Sequence, residues 1–158
     1  MSSFLKRTTF VVSDARASAA FYQHVFGMRV WYDNELVPDA DFPPAAPAGS
    51  RVHLVILEAD DPVIGKLGFL QYLDNPPARP APKSTRRVVL GEPILVFETD
   101  DIEAVAGRVR ETDAHIVAGP KDWEVPAVDG SGVIRLTTMS LFDPEGIYME
   151  IGSKRPSG

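Results

Sequence analysis

The feature that most constrains this chain is an internal repeat. The stretches "FVVSDARASAAFY" (10–22) and "VFETDDIEAVAGR" (96–108) each run from a strand-like segment through an acidic residue into an amphipathic helix. After each, strand-like segments and turn residues follow in the same order. Self-similarity of this kind has to be settled before any motif is interpreted, because it fixes the unit that folds. At 158 residues the chain holds two such units or one ordinary domain built from both.

In the first unit, "LKRTTFVV" (5–12) reads as a strand, and Asp14 then caps a helix in which Ala17, Phe21, Tyr22, Val25 and Phe26 recur at helical spacing. Gly27 supplies the left-handed stop. "MRVWYD" (28–33) is strand-like, and the following "NELVPDADFPPAAPAGS" (34–50) carries prolines that forbid regular pairing and is long enough for a lid. Two strands follow, "RVHLVILEA" (51–59) and "KLGFLQYL" (66–73), joined by a turn at Asp60, Asp61 and Pro62. The order is β-α-β-β-β.

Residues 74–91 contain Pro76, Pro77, Pro80 and Pro82 and form an extended connector. Beyond it, "PILVFET" (93–99) is a strand, and Asp100 or Asp101 caps a helix with Ile102, Val105 and Val109 as its apolar stripe. "AHIVAG" (114–119) is a short strand and "PKDWEVPAVDGSG" (120–132) an irregular loop. "VIRLTTMSLFD" and "GIYMEIGS" form a closing hairpin turned at Asp143 to Gly146. The β-α-β-β-β order recurs, giving an α+β chain with module one at about 4–74, a connector at about 75–91 and module two at about 92–153.

Composition removes several classes of function. A formal charge of -6 argues against general affinity for nucleic acid or an anionic membrane. The one basic cluster, "KSTRR" (83–87), is local. With no cysteine, disulfides, zinc ribbons, iron–sulfur clusters and thiol nucleophiles are excluded. No segment approaches the run of about 20 apolar residues that spans a bilayer, and the N-terminal stretch lacks the apolar core of a signal peptide. Cytoplasmic residence is the default expectation. No P-loop, dinucleotide-binding glycine fingerprint, HExxH or GxSxG motif is present.

"VSDARASAAFYQHVFGMRV", "FETDDIEAV" and "DPEGIYMEI" (143–151), in this order, resemble the first helix region, second helix entry and closing strand of the vicinal oxygen chelate superfamily of glyoxalase, bleomycin-resistance and dioxygenase proteins. The resemblance covers almost the whole chain. It implies two βαβββ modules curving into an open barrel, with a small-molecule site in the cleft between them, and a homodimer. In metalloenzymes of the family, one metal ligand comes from the first strand of each module and one from its last strand. The matching positions here are Arg7, Gln71, Ile94 and Glu150.

Arg has no lone pair available near neutral pH and Ile has no donor atom, so two of the four corners cannot bind a metal. Glu150 with the weak amide oxygen of Gln71 gives too few ligands for tight binding. The expectation is therefore a protein without a metal cofactor that binds a small organic ligand, with the bleomycin-resistance members as the nearest analogy. The guanidinium of Arg7 would suit an anionic group. Alternatively, Arg7 and Glu150 pair as a structural salt bridge. The competing reading is a glyoxalase-like lyase, isomerase or dioxygenase using a divalent metal ion, with Glu150 and His53 as its catalytic candidates.

The remaining candidates are ligand-binding. Gln71 shares a strand face with Phe69 and is read as one polar group on an apolar wall, or as bonded to neighbouring backbone. Glu98 reaches the cleft or sits at a solvated strand end. His53 alternates with Val52 and Leu54 in a strand expected to line the cleft, but needs a partner to fix its tautomer before it can act as a base. Trp123, expected in a loop, and Tyr148 offer stacking surfaces for a planar ligand.

Overall fold

The structure is a computed structural model that describes residues 5–39, 41, 43–79, 87–89, 91–127 and 130–154. The chain divides into two compact units, Met1–Pro82 and Lys83–Gly158. Most of the proline-rich connector after Arg79, most of the basic cluster, and Val128 and Asp129 of the 120–132 stretch lie outside the described residues.

Unit 1 contains β1 (Arg7–Val11), α1 (Ala15–Phe26), β2 (Arg29–Leu36), β3 (Val52–Glu58) and β4 (Lys66–Tyr72). Its sheet runs β1-β4-β3-β2, with β1 parallel to β4 and the other pairs antiparallel. The helix begins where Asp14 Oδ1 accepts from the Ala17 amide at 2.9 Å, satisfying one of the donors a first turn leaves unpaired. It ends at Gly27, whose φ of 69° is costly for a residue with a side chain. Ala15, Ala19, Phe21, Tyr22 and Val25 bury the face turned to the sheet, and the rings of Tyr22 and Phe69 stand 5.0 Å apart.

Unit 2 contains β5 (Leu95–Glu98), α2 (Ile102–Arg110), β6 (His115–Pro126), β7 (Val133–Phe142) and β8 (Tyr148–Lys154). The sheet runs β5-β8-β7-β6, again with its first and last strands parallel. Of the two capping candidates, Asp101 is the one used: its Oδ1 accepts from the Ala104 amide at 2.9 Å. Ile102, Val105, Ala106 and Val109 form the buried stripe of α2, and Met139, Leu141, Met149 and Ile151 are buried in the sheet. The β7–β8 hairpin turns at the expected place. Asp143, 2% exposed, accepts from the Ile147 amide through Oδ1 at 2.8 Å, while Gly146 takes φ 90°.

The fold is therefore α+β, with one βαβββ arrangement in each unit. Two strand boundaries differ from the expectation. β2 continues to Leu36 through a bulge between Val30 and Tyr32, so the irregular segment starts after residue 36. β6 continues to Pro126 through register shifts between Ile116 and Lys121. It is an edge strand, where proline and irregular pairing are tolerated because one side of the backbone needs no partner. Trp123 consequently lies in a strand, paired with Leu136, and the expected loop at 120–126 is corrected.

Candidate functional site

Each sheet has a face that packs on its helix and an opposite face. Cross-strand partners point the same way, so the register sorts the side chains. In unit 2, Met139, Leu141, Met149 and Ile151 alternate with Thr138, Ser140, Tyr148 and Glu150. The face opposite α2 therefore carries Val96 and Glu98 from β5, Tyr148, Glu150, Gly152 and Lys154 from β8, Leu136, Thr138 and Ser140 from β7, and Trp123 from β6.

Four of the sequence candidates meet on this face. Glu150, partly exposed, lies between Val96 and Ser140 in register, and its Oε1 accepts from the Tyr148 hydroxyl at 3.3 Å. Tyr148 packs on Phe142 with ring centroids 5.2 Å apart. Trp123 donates through Nε1 to Thr138 Oγ1 at 2.7 Å, which fixes the indole while 48% of the residue stays exposed. Glu98 is bound by Lys154 at 3.0 Å, so its charge is balanced locally. The arrangement offers one partly buried carboxylate, several hydroxyls and two aromatic rings on one sheet surface.

Phe69, Gln71 and His53 lie elsewhere. Phe69 is fully buried against Tyr22, which gives it a packing place on the helix side of its sheet. Gln71, two residues on, accepts from the Ala15 amide through Oε1 at 3.1 Å and so helps cap α1. His53 pairs with Gln71 in register and shares that side. All three, expected on a cleft wall, thus stand on the face of their sheet that α1 covers. β4 is buried at nearly every position, and its sequence does not reveal which face α1 covers.

His53 does have the partner that sequence could not identify. Its ring, 7% exposed, donates through Nε2 to Asp33 Oδ1 at 2.5 Å, and Arg16 holds the same carboxylate at 3.3 and 3.4 Å. The hydrogen bond from His53, followed by Arg16, holds the Asp33 carboxyl below the usual carboxylate range against the opposing effect of burial. Asp33 lies in the segment read as strand, but 20 residues from His53. Only the β2–β3 register brings them together.

Arg7 lies on β1 opposite Lys66, on the side of Thr9 and Gly68. The parallel registers give a further comparison of the two units. Thr9 and Val96 each stand five residues before their helix caps, Asp14 and Asp101. Thr9 pairs with Gly68, and Val96 pairs with Glu150. The counterpart of Glu150 in unit 1 is thus Gly68 and not Gln71. A β-carbon at Gly68 would meet Thr9 Oγ1 at 2.7 Å, so the position is built for glycine.

The donor set does not suit a divalent cation. Arg7 and Ile94 offer no lone pair, Gln71 is committed to the Ala15 amide, and Gly68 has no side chain. Among the described residues, no group of three or more His, Asp or Glu side chains converges as metal ligands would.

The sequence model of the Glyoxalase/Bleomycin resistance protein/Dioxygenase superfamily matches residues 5–151. A glyoxalase family protein from Bacillus cereus superposes with a TM-score of 0.76 at 12% identity, over 96% of this chain and 94% of that one. TnmS3, an antibiotic binding protein from Streptomyces sp. CB03234, gives 0.56 at 18% identity, covering 97% of both chains. TioX from Micromonospora sp. ML1 gives 0.56 at 15%, over 97% of this chain and 100% of that one. At such identities the likeness speaks for the fold. No curated protein sequence matches the chain.

Proposed function

Because this chain belongs to the glyoxalase/bleomycin resistance protein/dioxygenase superfamily, we propose that it is a small-molecule-binding protein of the bleomycin-resistance kind, working without a catalytic metal. The observation that carries this is the gathering of Trp123, Tyr148 and Glu150 on one sheet face, beside a donor set unsuited to a divalent metal ion. Fixed aromatic surface with a few polar groups binds organic molecules by contact area and uses the polar groups for orientation. An antibiotic binding protein of the same fold supports the reading.

Glu150 and Trp123 are the proposed contacts, with Tyr148 positioning Glu150. Arg7, on the first sheet, is the group suited to an anionic ligand, and it has its own test: Arg7→Gln should weaken binding of carboxylate-bearing compounds alone. A homodimer in the cytoplasm completes the proposal, and sedimentation equilibrium checks the assembly.

The main test is equilibrium dialysis against a set of aromatic natural products, bleomycin included. At least one compound is expected to bind, and Trp123→Ala and Glu150→Gln should each weaken it tenfold or more, about 1.4 kcal/mol. Retention of no compound, or indifference to both substitutions, would sink the proposal. So would stoichiometric iron, manganese, nickel or zinc in protein purified without chelator, if Glu150→Ala removed it.

A further inference from the structure

We propose that the face of the second sheet opposite α2 takes a small organic cation bearing a flat aromatic ring, with Glu150 as the counter-charge. This rests on the small-molecule-binding reading and names the ligand class. Glu150 is partly withdrawn from water, yet its one hydrogen bond is the 3.3 Å contact from the neutral Tyr148 hydroxyl. Among the described residues no Lys, Arg or His forms an ion pair with it. A carboxylate has about four acceptor positions, and one long neutral bond leaves most of them unused. Its cross-strand neighbours, Val96 and Ser140, bring no positive charge.

The two lysines of this face are placed differently, and His115, in register with Phe142, stands on the edge strand β6. Lys154 is held by Glu98 at 3.0 Å. Lys121 pairs in register with Thr138 and stands on the edge strand, two strands from Glu150. The other carboxylate of the face is therefore neutralised, and Glu150 is left to bind a cation from outside. A charge-assisted bond to an ammonium or amidinium is shorter and stronger than the bond from Tyr148.

The aromatic part of the ligand follows from Trp123. Its indole is held by Thr138 at 2.7 Å, so little rotamer freedom remains to be lost when a ring packs on it. Trp is also the best of the aromatic faces for a cation. Trp123 stands in register with Leu136 and Lys154, four residues along β8 from Glu150, but its indole nitrogen reaches Thr138; from there Glu150 is one strand spacing and two residues away, about 8 Å, which a fused-ring molecule spans. The net charge of -6 draws cations to the chain at long range.

The test uses three tricyclic probes of similar shape on the full chain: 9-aminoacridine as cation, phenazine as neutral ring and acridine-9-carboxylate as anion. Binding is read from fluorescence or absorbance titration. The cation is expected to bind at least tenfold tighter than phenazine, with an affinity that falls as salt rises. Glu150→Gln, which keeps a hydrogen-bonding oxygen near Tyr148, should abolish that preference and leave phenazine binding within twofold. The comparison of probes on the unaltered protein does not depend on how well the variant folds. Equal binding of all three, or preference for the carboxylate, overturns the cation site; sensitivity of that binding to Trp123→Ala leaves the binding function standing. Binding of none of the probes overturns the cation site, and the dialysis set then decides the broader function separately.

Discussion

The two units share one βαβββ plan and treat the sheet face away from the helix in opposite ways. In unit 1 the end of that face around Val52, Leu70 and Tyr72 is apolar and closed by the chain itself. Val52, Ile56, Leu70 and Tyr72 are 6% exposed or less, and Leu36, Ala45, Ala46 and Leu54 pack with Val52, Leu70 and Tyr72. The Tyr72 hydroxyl donates to the Pro43 carbonyl at 3.2 Å, fastening the segment that follows β2. In unit 2 the counterparts of Ile56 and Leu54 are Ser140 and Thr138, and the counterpart of Gly68 is Glu150. A duplicated fold can thus close part of a surface in one copy and leave the matching part polar in the other.

The largest effects expected from this contrast are on stability. Leu70→Ala removes a buried side chain from the self-closed face and should cost about 2–5 kcal/mol in chemical denaturation. Trp123→Ala, on the other sheet, should cost much less while removing ligand binding. Equal losses would break the comparison.

Glycine gives the next test. Gly68→Ala drives a methyl group against Thr9 and should cost about 1–3 kcal/mol. Gly152→Ala meets Thr138 Oγ1 at 3.8 Å, an ordinary contact, and should stay within about 0.5 kcal/mol on a thermal melt. A smaller effect is expected from Tyr72→Phe, which frees the Pro43 carbonyl at a cost of about 1 kcal/mol and should speed hydrogen exchange in residues 43–50.

Acid sharpens the comparison further. Asp33 is lowered by its hydrogen bond from His53 and by Arg16, and Asp74 by its hydrogen bonds from Arg51; both lie in unit 1. A carboxyl with a depressed folded pKa contributes stability that is present above its unfolded value near 3.8 and is lost as pH falls through the folded value. Amide protection in unit 1 should therefore decline on acidification below about pH 4. Asp33→Asn should flatten that decline. A decline of the same steepness in the variant would show that the His53–Asp33–Arg16 contact adds nothing to acid stability.

Much of this was legible in the residues. Asp14 with Gly27 bounded one helix, and the alternation of Tyr148, Met149, Glu150 and Ile151 gave both the strand and the side on which Glu150 lies. A two-residue period with one apolar and one polar side leaves no ambiguity. "KLGFLQY" was different because both its faces are covered. Its period did not say which side α1 takes, so that Phe69 and Gln71 stand under the helix came from the tertiary structure alone. Pro120 and Pro126 made 120–126 look like a loop, whereas an edge strand absorbs them.

By itself the sequence determined the repeat, the helix caps, the closing hairpin, the family and the place of Glu150. These are local signals, carried by residue type and spacing along a few turns or strands. Tertiary structure decided what lies across the strands: the His53–Asp33 contact, the Trp123–Thr138 bond, Gly68 as the counterpart of Glu150, and the closure of one sheet face by residues 43–46. Each depends on strand register or on where a connecting segment lands. That is set by the packing of distant residues, which no short stretch of sequence contains.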